Sequence, residues 1–345
     1  MPNLGVTIPV LHTPGHKFGE LAQLADGAGF RSLWLSEEYR NPFVMHSLTA
    51  AATSRITLAT GIAQAFARSP FEMANAAVDV DELSGGRLIL GIGSAGDDWL
   101  RAFHTSDASN VVARISEYVD VLRASWRYFQ SGASPDIRYE GDWYRFEPLA
   151  LNPWSARDMA RPTIPIYLAA MRPRMLRLAG AKADGAIGYA HTAEFARRKV
   201  RPALAEGARS TGRDPSEVDY ACLTVCSVSS DRAEAMRRAK LQVGIYVAVD
   251  ITDPVVHLHG LQAEQAAIRA AIEKDGFAAA GDATSDEVVE LFAIAGTPDE
   301  ARKKAAAFQE AIPHVVLSPP YAPALSPEET EDSFRNIVET FGNAD

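Results

Sequence analysis

The sequence predicts an α/β fold, specifically a closed (β/α)8 barrel of the TIM type with insertions. Short apolar runs alternate with longer amphipathic runs along the 345 residues, which is the pattern of repeated strand–helix units. Eight apolar runs each precede at least one amphipathic run, and such units require parallel strands joined by crossover helices. No low-complexity linker separates the two halves, so we expect one domain over residues 1–345. An open, doubly wound sheet is the structural alternative.

The first four strand–helix units occupy the N-terminal part of the chain. The apolar runs predict strands at residues 4–10, 31–37, 56–62 and 87–93. Helical spacing of apolar residues predicts helices at residues 17–30, 43–53, 70–86 and 113–131. Pro70 suits the first position of its helix, because the N–H that proline lacks would have no helical partner there.

The alternation resumes in the C-terminal half after an insertion. Strands are predicted at residues 164–170, 184–190, 219–228 and 314–320. Helices are predicted at residues 173–183, 193–211, 231–247 and 327–341, and from Pro298 onwards behind the N-cap Thr297. Residues 132–163 and 248–295 interrupt the pattern and are predicted insertions. We expect a hairpin in the first and helices without a clear strand in the second.

The charge of the chain limits its partners. The formal net charge is −10 and the pI is about 5.4, so the protein repels polyanions, and we expect neither nucleic acid nor an anionic membrane as its main partner. No run approaches the roughly 18 apolar residues of a membrane-spanning helix.

The two cysteines, Cys222 and Cys226, lie in one predicted strand. Four strand residues span about 13 Å, which is too far for a disulfide between them, so we expect two buried free thiols. A metal pair is the alternative, but no further ligands lie nearby in the sequence, and we predict no metal. Free thiols and an N-terminus without a targeting signal fit a reducing cytoplasm.

Carboxylates and histidines follow several of the predicted strands. Because the active site of such a barrel lies at the C-terminal ends of its strands, these residues are candidates for catalysis. Glu37 and Glu38 end the second strand and are candidate acid–base groups, whereas on an ordinary loop they would be solvated. His104 and His191 are further candidates for proton transfer, with a hydrogen-bonded structural histidine as the alternative for each.

Glycines mark two further strand ends. Gly61 lies inside the third strand, where a glycine indicates a bulge or a close backbone approach, with a simple strand terminus as the alternative. Arg68 follows it, and this arginine either pairs with an anion or lies on the surface. The fourth strand runs into residues 91–96, which match the G-x-G-x-x-G fingerprint of dinucleotide-binding folds.

We do not assign a dinucleotide site to this fingerprint, because its context differs from the known motif. It follows a fourth strand instead of opening a βαβ unit, and Asp97 and Asp98 come next, where they would repel a pyrophosphate. No well-patterned helix is predicted directly after Gly96. The glycines, Gly93 among them, are expected to leave room for a flat ligand ring or to make a turn. An NAD-linked enzyme stays an alternative only if the sheet is open.

Three arginines surround the start of the helix after the fifth strand, namely Arg172, Arg174 and Arg177. A strand that opens directly into a helix exposes backbone N–H groups at the positive end of the helix dipole. Arginine opposes this dipole, so its presence there indicates a bound anion. We predict a phosphate site, and the alternative is a solvated basic turn.

Three segments together resemble the bacterial luciferase-like superfamily, and in particular its coenzyme F420-dependent oxidoreductases. They are residues 56–93, 165–188 and 293–308. The resemblance extends from the first strand to the last helix and therefore covers nearly the whole chain. It implies a barrel that binds a flavin or deazaflavin at the C-terminal ends of its strands, and usually a homodimer.

The resemblance also implies roles for individual residues. In the family, a non-prolyl cis peptide bond in the third strand bulges against the central ring of the cofactor, and the matching bond here is Gly61–Ile62. The phosphate site of the family matches Ala170, Met171, Arg172, Pro173 and Arg174. Together with Ala63 and Gly93, these are the candidate cofactor-binding residues.

The chain departs from better-studied members of the family at two places. Many members have Asp-His at the end of the second strand, where this chain has Glu37-Glu38, and Ala63-Gln64 replaces a more polar pair seen in some relatives. The substrate is therefore not transferable from the resemblance.

Our hypothesis is hydride transfer between C5 of coenzyme F420 and a small organic substrate. The proton carrier in this hypothesis is Glu37, Glu38 or His104. An FMN-dependent monooxygenase that uses reduced FMN and O2 is the runner-up. A non-catalytic flavin- or deazaflavin-binding protein is the alternative from another class.

Overall fold

The computed structural model describes residues 3–149 and 156–343. These residues contain the strands β1 (Leu4–Thr7), β2 (Ser32–Leu35), β3 (Thr57–Thr60), β4 (Ala63–Gln64), β5 (Leu88–Gly93), β6 (Tyr139–Glu140), β7 (Arg145–Phe146), β8 (Ile166–Ala169), β9 (Gly185–Tyr189), β10 (Asp219–Val228), β11 (Ala293–Gly296) and β12 (His314–Ser318). Eight strands pair in parallel in the order β1-β2-β3-β5-β8-β9-β10-β12, and β12 pairs back onto β1. The sheet is a closed barrel, which confirms the predicted fold and excludes the open sheet.

Helices surround the barrel between these strands. They are α1 (Phe18–Gly27), α2 (Pro42–Ala52), α3 (Pro70–Leu83), α4 (Asp97–Phe103), α5 (Val111–Gln130), α6 (Pro173–Lys182), α7 (Ala193–Phe195), α8 (Arg201–Ser210), α9 (Arg232–Ala248), α10 (Asp253–His259), α11 (Gln262–Asp275), α12 (Ala279–Ala283), α13 (Asp286–Phe292), α14 (Pro298–Gln309) and α15 (Pro327–Phe341). A π-helical segment, Ala196–Val200, joins α7 to α8. Short 3₁₀ turns lie at Gly15–Lys17, Ala65–Ala67, Pro215–Glu217 and Asp250–Thr252.

No single helix among the described residues is long and apolar enough to cross a bilayer. By length and composition alone, α9 and the segment Asp250–His259 pass that test as a pair, and the two are bent by 82°.

The barrel has two apolar layers because successive strand residues point to opposite faces. One cluster fills the barrel interior and consists of Trp34, Ala59, Ile89, Tyr167, Ile187, Ala221, Leu223 and Val316. A much larger cluster lies between the strands and the helices, and it includes Cys222 and Cys226. Both cysteines are free and buried, as predicted. Burial on both faces explains why the strands are continuous apolar runs in the sequence.

Two elements differ from the sequence predictions. Helix α4 begins directly after Gly96, where no helix was predicted, so that reason for rejecting a dinucleotide site was wrong. The closed barrel now excludes that site instead. Strand β11 lies at the end of the second insertion, which was expected to lack a strand, and it pairs with the last residues of β10. Its four residues are too few for periodicity to distinguish them from the end of α13.

The first insertion contains the predicted hairpin. Strands β6 and β7 pair antiparallel, and the carboxylate of Glu117 on α5 accepts hydrogen bonds from the backbone N–H groups of residues 142–144 in the turn. Residues 150–155 of the predicted insertion lie outside the described residues.

A polar network closes the barrel at the N-terminal ends of its strands. The Asp219 carboxylate accepts hydrogen bonds from the Tyr167 hydroxyl at 2.7 Å and from Arg31 at 3.2 Å. His314 Nδ1 lies 3.5 Å from the same carboxylate, and its Nε2 is 2.8 Å from the Ser32 hydroxyl. The residue types are those of a hydrolytic triad, but Ser32 and His314 are fully buried, so the network serves the fold and not a substrate.

Asp219 should make the stability of the protein pH-dependent. Burial raises the pKa of this carboxyl, but His314, Tyr167 and Arg31 outweigh it, and the pKa lies well below the ordinary value of 3.8. A depressed pKa in the folded state contributes stability above the unfolded value, and this contribution is lost as the pH falls below about 4. As the pH falls below about 4, we expect the free energy of unfolding of the wild type to decrease more steeply than that of Asp219→Asn. The difference in slope should reach up to about 1.4 kcal/mol per pH unit. Urea unfolding from about pH 5 downwards measures it, and parallel curves for both proteins would contradict it.

Candidate active site

The predicted strand ends meet in one cavity of about 460 Å³ at the C-terminal end of the barrel. This volume is typical of a small-molecule site. The cavity brings together Glu37, Glu38, Gly61, Ile62 and Met171 from the predicted set. Its other lining residues are Thr7, Ile8, Pro9, Val10, Ser36, Gln64, Ala95, Gly96, Trp99, Ala169, Ile187, Gly188, Tyr189, Leu223, Ile251, Ser318 and Tyr321.

The bulge after β3 forms one wall of this cavity. The Gly61–Ile62 peptide bond is cis, as the resemblance implied. The backbone N–H of Glu37 donates to the Ile62 carbonyl at 3.0 Å, and that of Gly61 donates to the Leu35 carbonyl at 2.8 Å, so the bulge is fixed against the end of β2. A Cβ atom on Gly61 would lie 2.9 Å from the Trp34 ring, which explains the glycine. Ala63 is fully buried behind this wall.

Gly91 and Gly93 make room for protein atoms and not for a ligand, which corrects the sequence prediction. A Cβ on Gly91 would lie 2.0 Å from the Thr60 carbonyl oxygen. A Cβ on Gly93 would lie 2.5 Å from Ile62 Cδ1. Gly93 therefore supports the bulge from behind, and among the described residues it does not line the cavity.

Glu37 is neutralised by a buried ion pair. Arg68 Nη1 donates to Glu37 Oε2 at 2.8 Å, and Arg68 Nη2 donates to Glu37 Oε1. The backbone N–H of Gln64 donates to the same Oε2 at 2.7 Å. The side chains of Glu37 and Arg68 are only 9% and 12% exposed, respectively. Arg68 thus pairs with an anion of the protein itself, and both Glu37 oxygens accept hydrogen bonds within the protein.

Glu38, unlike Glu37, has no ion-pair partner among the described residues. Burial raises the pKa of its carboxyl, and hydrogen bonds with the hydroxyls of Tyr321 and Ser36 lower it by less. The Tyr246 hydroxyl donates to the Tyr321 hydroxyl at 2.6 Å, so Tyr321 is held in place from behind. A carboxyl group with a raised pKa, held at the cavity wall and without a cationic partner among the described residues, is suited to proton transfer.

The two candidate histidines lie away from the cavity lining. His104 follows the last residue of α4, where its backbone N–H donates to the Leu100 carbonyl at 2.9 Å. His191 is fully buried, and its Nδ1 is 2.7 Å from the Tyr220 hydroxyl. Burial lowers the pKa of His191 to about 3, so its ring is neutral. Neither histidine is among the described residues that line the cavity.

The arginines at the start of α6 separate into two groups. Arg177 pairs with Glu206 at 2.8 Å and points to α8. Arg172 and Arg174 are exposed, and in the part of the chain that the structure describes neither forms an ion pair with a carboxylate. Arg174 lines a smaller hollow of about 320 Å³ together with residues 110–113 at the start of α5. Two helix N-termini and a free guanidinium here suit an anion.

Two residues that line the cavity, Gln64 and Trp99, each have a side-chain polar atom without a hydrogen-bond partner among the described residues. These atoms, Gln64 Oε1 and Trp99 Nε1, are excluded from solvent. A mainly apolar cavity of about 460 Å³ suits a small organic ligand.

Tyr321 is a further residue of the site that sequence reasoning missed. It lies three residues beyond the last strand, and its position at a strand end was the available signal. No group of three or more His, Cys, Asp or Glu side chains in residues 3–149 and 156–343 is arranged to hold a metal ion.

Comparisons with known proteins identify the family of the chain. A family model described as luciferase-like monooxygenase matches residues 5–314. The 5,10-methylenetetrahydromethanopterin reductase of Methanolobus tindarius is 32% identical over 304 residues, which cover 84% of this chain and 86% of the relative. The protein of the same name from Methanopyrus kandleri is 30% identical over 321 residues, which cover 89% and 90%.

A solved structure gives the same result for the fold. The coenzyme F420 dependent tetrahydromethanopterin reductase from Methanopyrus kandleri matches with a TM-score of 0.81 and 26% identity, over 98% of this chain and 99% of that one. Because the family model covers most of the chain and two relatives are at least 30% identical over more than four fifths of it, the chain belongs to the luciferase-like monooxygenase family of (β/α)8-barrel enzymes.

Proposed function

We propose that the protein is an oxidoreductase that transfers a hydride between coenzyme F420 and a small organic substrate. The observation that carries the proposal is the match over 98% of the chain to a reductase whose name states F420 dependence. The cavity supports it, because the bulge at Gly61–Ile62 and the carboxyl of Glu38 line the same apolar space. The deazaflavin supplies the hydride chemistry when it is bound.

The residues of the chain supply position and proton transfer. Gly61 and Ile62 would support the ring, and the start of α6 with Arg174 would hold the phosphate. Glu38 carries the proton, while Tyr321 orients its carboxyl group. Glu37 is a positioning residue, because its ion pair with Arg68 and its hydrogen bond from Gln64 join the bulge to the end of β2. The apolar walls exclude water from the reacting atoms.

The mouth of the cavity suggests the character of the substrate. Trp99 packs against Tyr39, with ring centroids 5.3 Å apart, and against Phe103 at 4.6 Å. Tyr39 and Phe103 are 74% and 63% exposed. Ile251 from the second insertion completes this rim. We propose that a flat or apolar organic molecule enters over these aromatic rings, since unpartnered aromatic surface at a cavity mouth favours such ligands.

Titration with F420 and with FMN tests the proposed function. We expect quenching of F420 fluorescence at micromolar protein and weaker binding of FMN, because the matched reductase is named for F420. Tight FMN binding without F420 binding would instead support the FMN-dependent monooxygenase. F420 binding without turnover on a panel of carbonyl, imine and alkene substrates would support the non-catalytic binding protein.

We also propose that the chain is a single domain that forms a homodimer. Helix α2 exposes Val44, Leu48 and Ala51, which lie on one face of the helix at intervals of four and three residues. An unpartnered apolar stripe of this kind suits a contact with a second copy. Analytical ultracentrifugation giving the mass of one chain would contradict the dimer. The cytoplasmic location stays a prediction, which cell fractionation tests.

A further inference from the structure

The loop that carries Tyr321 is attached to α9 through its main chain. Residues 319–326, between β12 and α15, form neither helix nor strand, so their backbone N–H groups need partners outside regular secondary structure. The N–H of Tyr321 donates to Gln242 Oε1 on α9 at 2.6 Å. Only the oxygen of an amide group can accept from an N–H, so this bond fixes the orientation of the Gln242 side chain. Gln242 is 2% exposed, and water therefore does not compete for the bond.

The same helix also holds the side chain of Tyr321. Tyr246 lies four residues after Gln242 on α9, and therefore on the same side of the helix. Its hydroxyl donates to the Tyr321 hydroxyl at 2.6 Å. An apolar cluster packs the loop against α9, and it consists of Leu241, Ile245, Ala322 and Leu325. Helix α9 thus fixes Tyr321 at its main chain and at its hydroxyl group.

The hydroxyl of Tyr321 in turn contacts Glu38. Both residues line the cavity, and the Tyr321 hydroxyl donates a hydrogen bond to the Glu38 carboxylate. Because the Tyr321 oxygen accepts from Tyr246, the two hydrogen bonds run in one direction and strengthen each other. The hydroxyls of Tyr321 and Ser36 are the groups that hydrogen-bond to this carboxyl, with Tyr246 behind Tyr321. The contact with Glu38 therefore depends on where α9 places the tyrosine.

We propose that Gln242 is a positioning residue of the active site, which fixes the main chain of Tyr321 so that the hydroxyl of this tyrosine stays hydrogen-bonded to Glu38. The inference rests on the proposed function, in which Glu38 carries the proton. Gln242 is not among the described residues that line the cavity, so it acts through Tyr321. Without the Gln242 acceptor, the loop loses its main-chain attachment to α9 and the Tyr321 hydroxyl is held less well. A carboxylate that loses a hydrogen-bond donor becomes a weaker acid.

The test measures the acid dissociation constant of Glu38 in the ligand-free protein, by ¹³C NMR of labelled glutamate carboxyl carbons. The signal that is absent from Glu38→Gln belongs to Glu38. We expect Gln242→Met, which keeps the size of the side chain but lacks the acceptor, to lower this constant about three- to tenfold. Tyr321→Phe should lower it in the same direction. In the double variant Gln242→Met/Tyr321→Phe, the constant should stay within about twofold of that of Tyr321→Phe, because the hydroxyl through which Gln242 acts is gone.

Gln265→Met is the matched control. Gln265 is a buried glutamine on α11, and its Nε2 donates to the Val247 carbonyl on α9 at 2.8 Å. Its substitution therefore weakens the packing of α9 without removing a hydrogen bond to the Tyr321 loop. This variant should keep the constant within about twofold of the wild-type value. A change as large as that in Gln242→Met would assign the effect to a general loosening of α9 and overturn the proposal.

Two other results also overturn the positioning role of Gln242. One is an unchanged dissociation constant in Gln242→Met, and the other is an undiminished effect of this substitution in the Tyr321→Phe background. If Gln242→Met does not fold, hydrogen exchange at the Tyr321 amide of the wild type decides. Strong protection supports the bond to Gln242, and exchange at the rate of an unfolded chain overturns it. None of these measurements involves F420, so failed F420 binding overturns the proposed function separately from the action of Gln242 on Glu38.

Discussion

Glu38→Gln should lower the rate of the hydride-transfer step about 10²- to 10⁴-fold, which is the usual contribution of a positioned acid–base group. Glutamine keeps the shape and the hydrogen bond with Tyr321 but cannot carry the proton. The pKa of Glu38 is raised by burial, so this carboxyl group exchanges its proton closer to neutral pH than an ordinary one. Single-turnover kinetics with reduced F420 and an accepted substrate measure the step, while the Kd for F420 should change less than about threefold.

Tyr321→Phe provides a finer test of the same residue. Its hydroxyl hydrogen-bonds to Glu38 and lowers the pKa that burial raises, so its removal should raise that pKa further. If protonated Glu38 is the acid, the rate falls as the pH rises through its pKa, and the variant should retain activity to higher pH. An unchanged rate in Glu38→Gln, or an unmoved pH profile in Tyr321→Phe, would place proton transfer elsewhere.

Arg68→Leu should destabilise the protein by about 3–5 kcal/mol, the usual cost of removing one partner from a buried ion pair. The substitution leaves the Glu37 carboxylate buried without its bidentate partner, next to the bulge that it holds. Because the Glu37 backbone also bonds to Ile62 and Gln64, weaker F420 binding should accompany the loss of stability. Urea unfolding monitored by circular dichroism measures the free energy of unfolding.

Two further variants separate the buried charge from other causes. The double variant Glu37→Gln/Arg68→Leu should recover part of the lost stability, because no unpaired carboxylate remains. Arg101→Leu is the matched control, since Arg101 and its partner Asp97 form an exposed pair on α4, and it should leave the unfolding free energy nearly unchanged. A double variant no more stable than Arg68→Leu would show that the lost packing of Arg68, and not the unpaired charge of Glu37, is responsible.

Much of the fold follows from the sequence, because it depends on local periodicity and on the order of the segments. Strands that are buried on both faces read as apolar runs, and every barrel strand begins within two residues of its predicted start. Parallel strands place their C-terminal ends together, so the order of elements also determined where the site lies. The sequence analysis missed α4 and β11, because these segments are too short to show a clear periodicity of apolar residues.

The tertiary structure alone decided the surroundings of each candidate residue of the site. Glu37 and Glu38 are neighbours in sequence, yet one is paired with Arg68 and the other has a raised pKa beside Tyr321. The surroundings of two further residues were also not predictable from the sequence. Gly93 makes room for the Ile62 side chain, and Gln64 Oε1 has no hydrogen-bond partner among the described residues. The protonation state and hydrogen-bond partners of a group depend on what surrounds it in space. Those surroundings come from strands far apart in the chain, which periodicity and spacing do not encode.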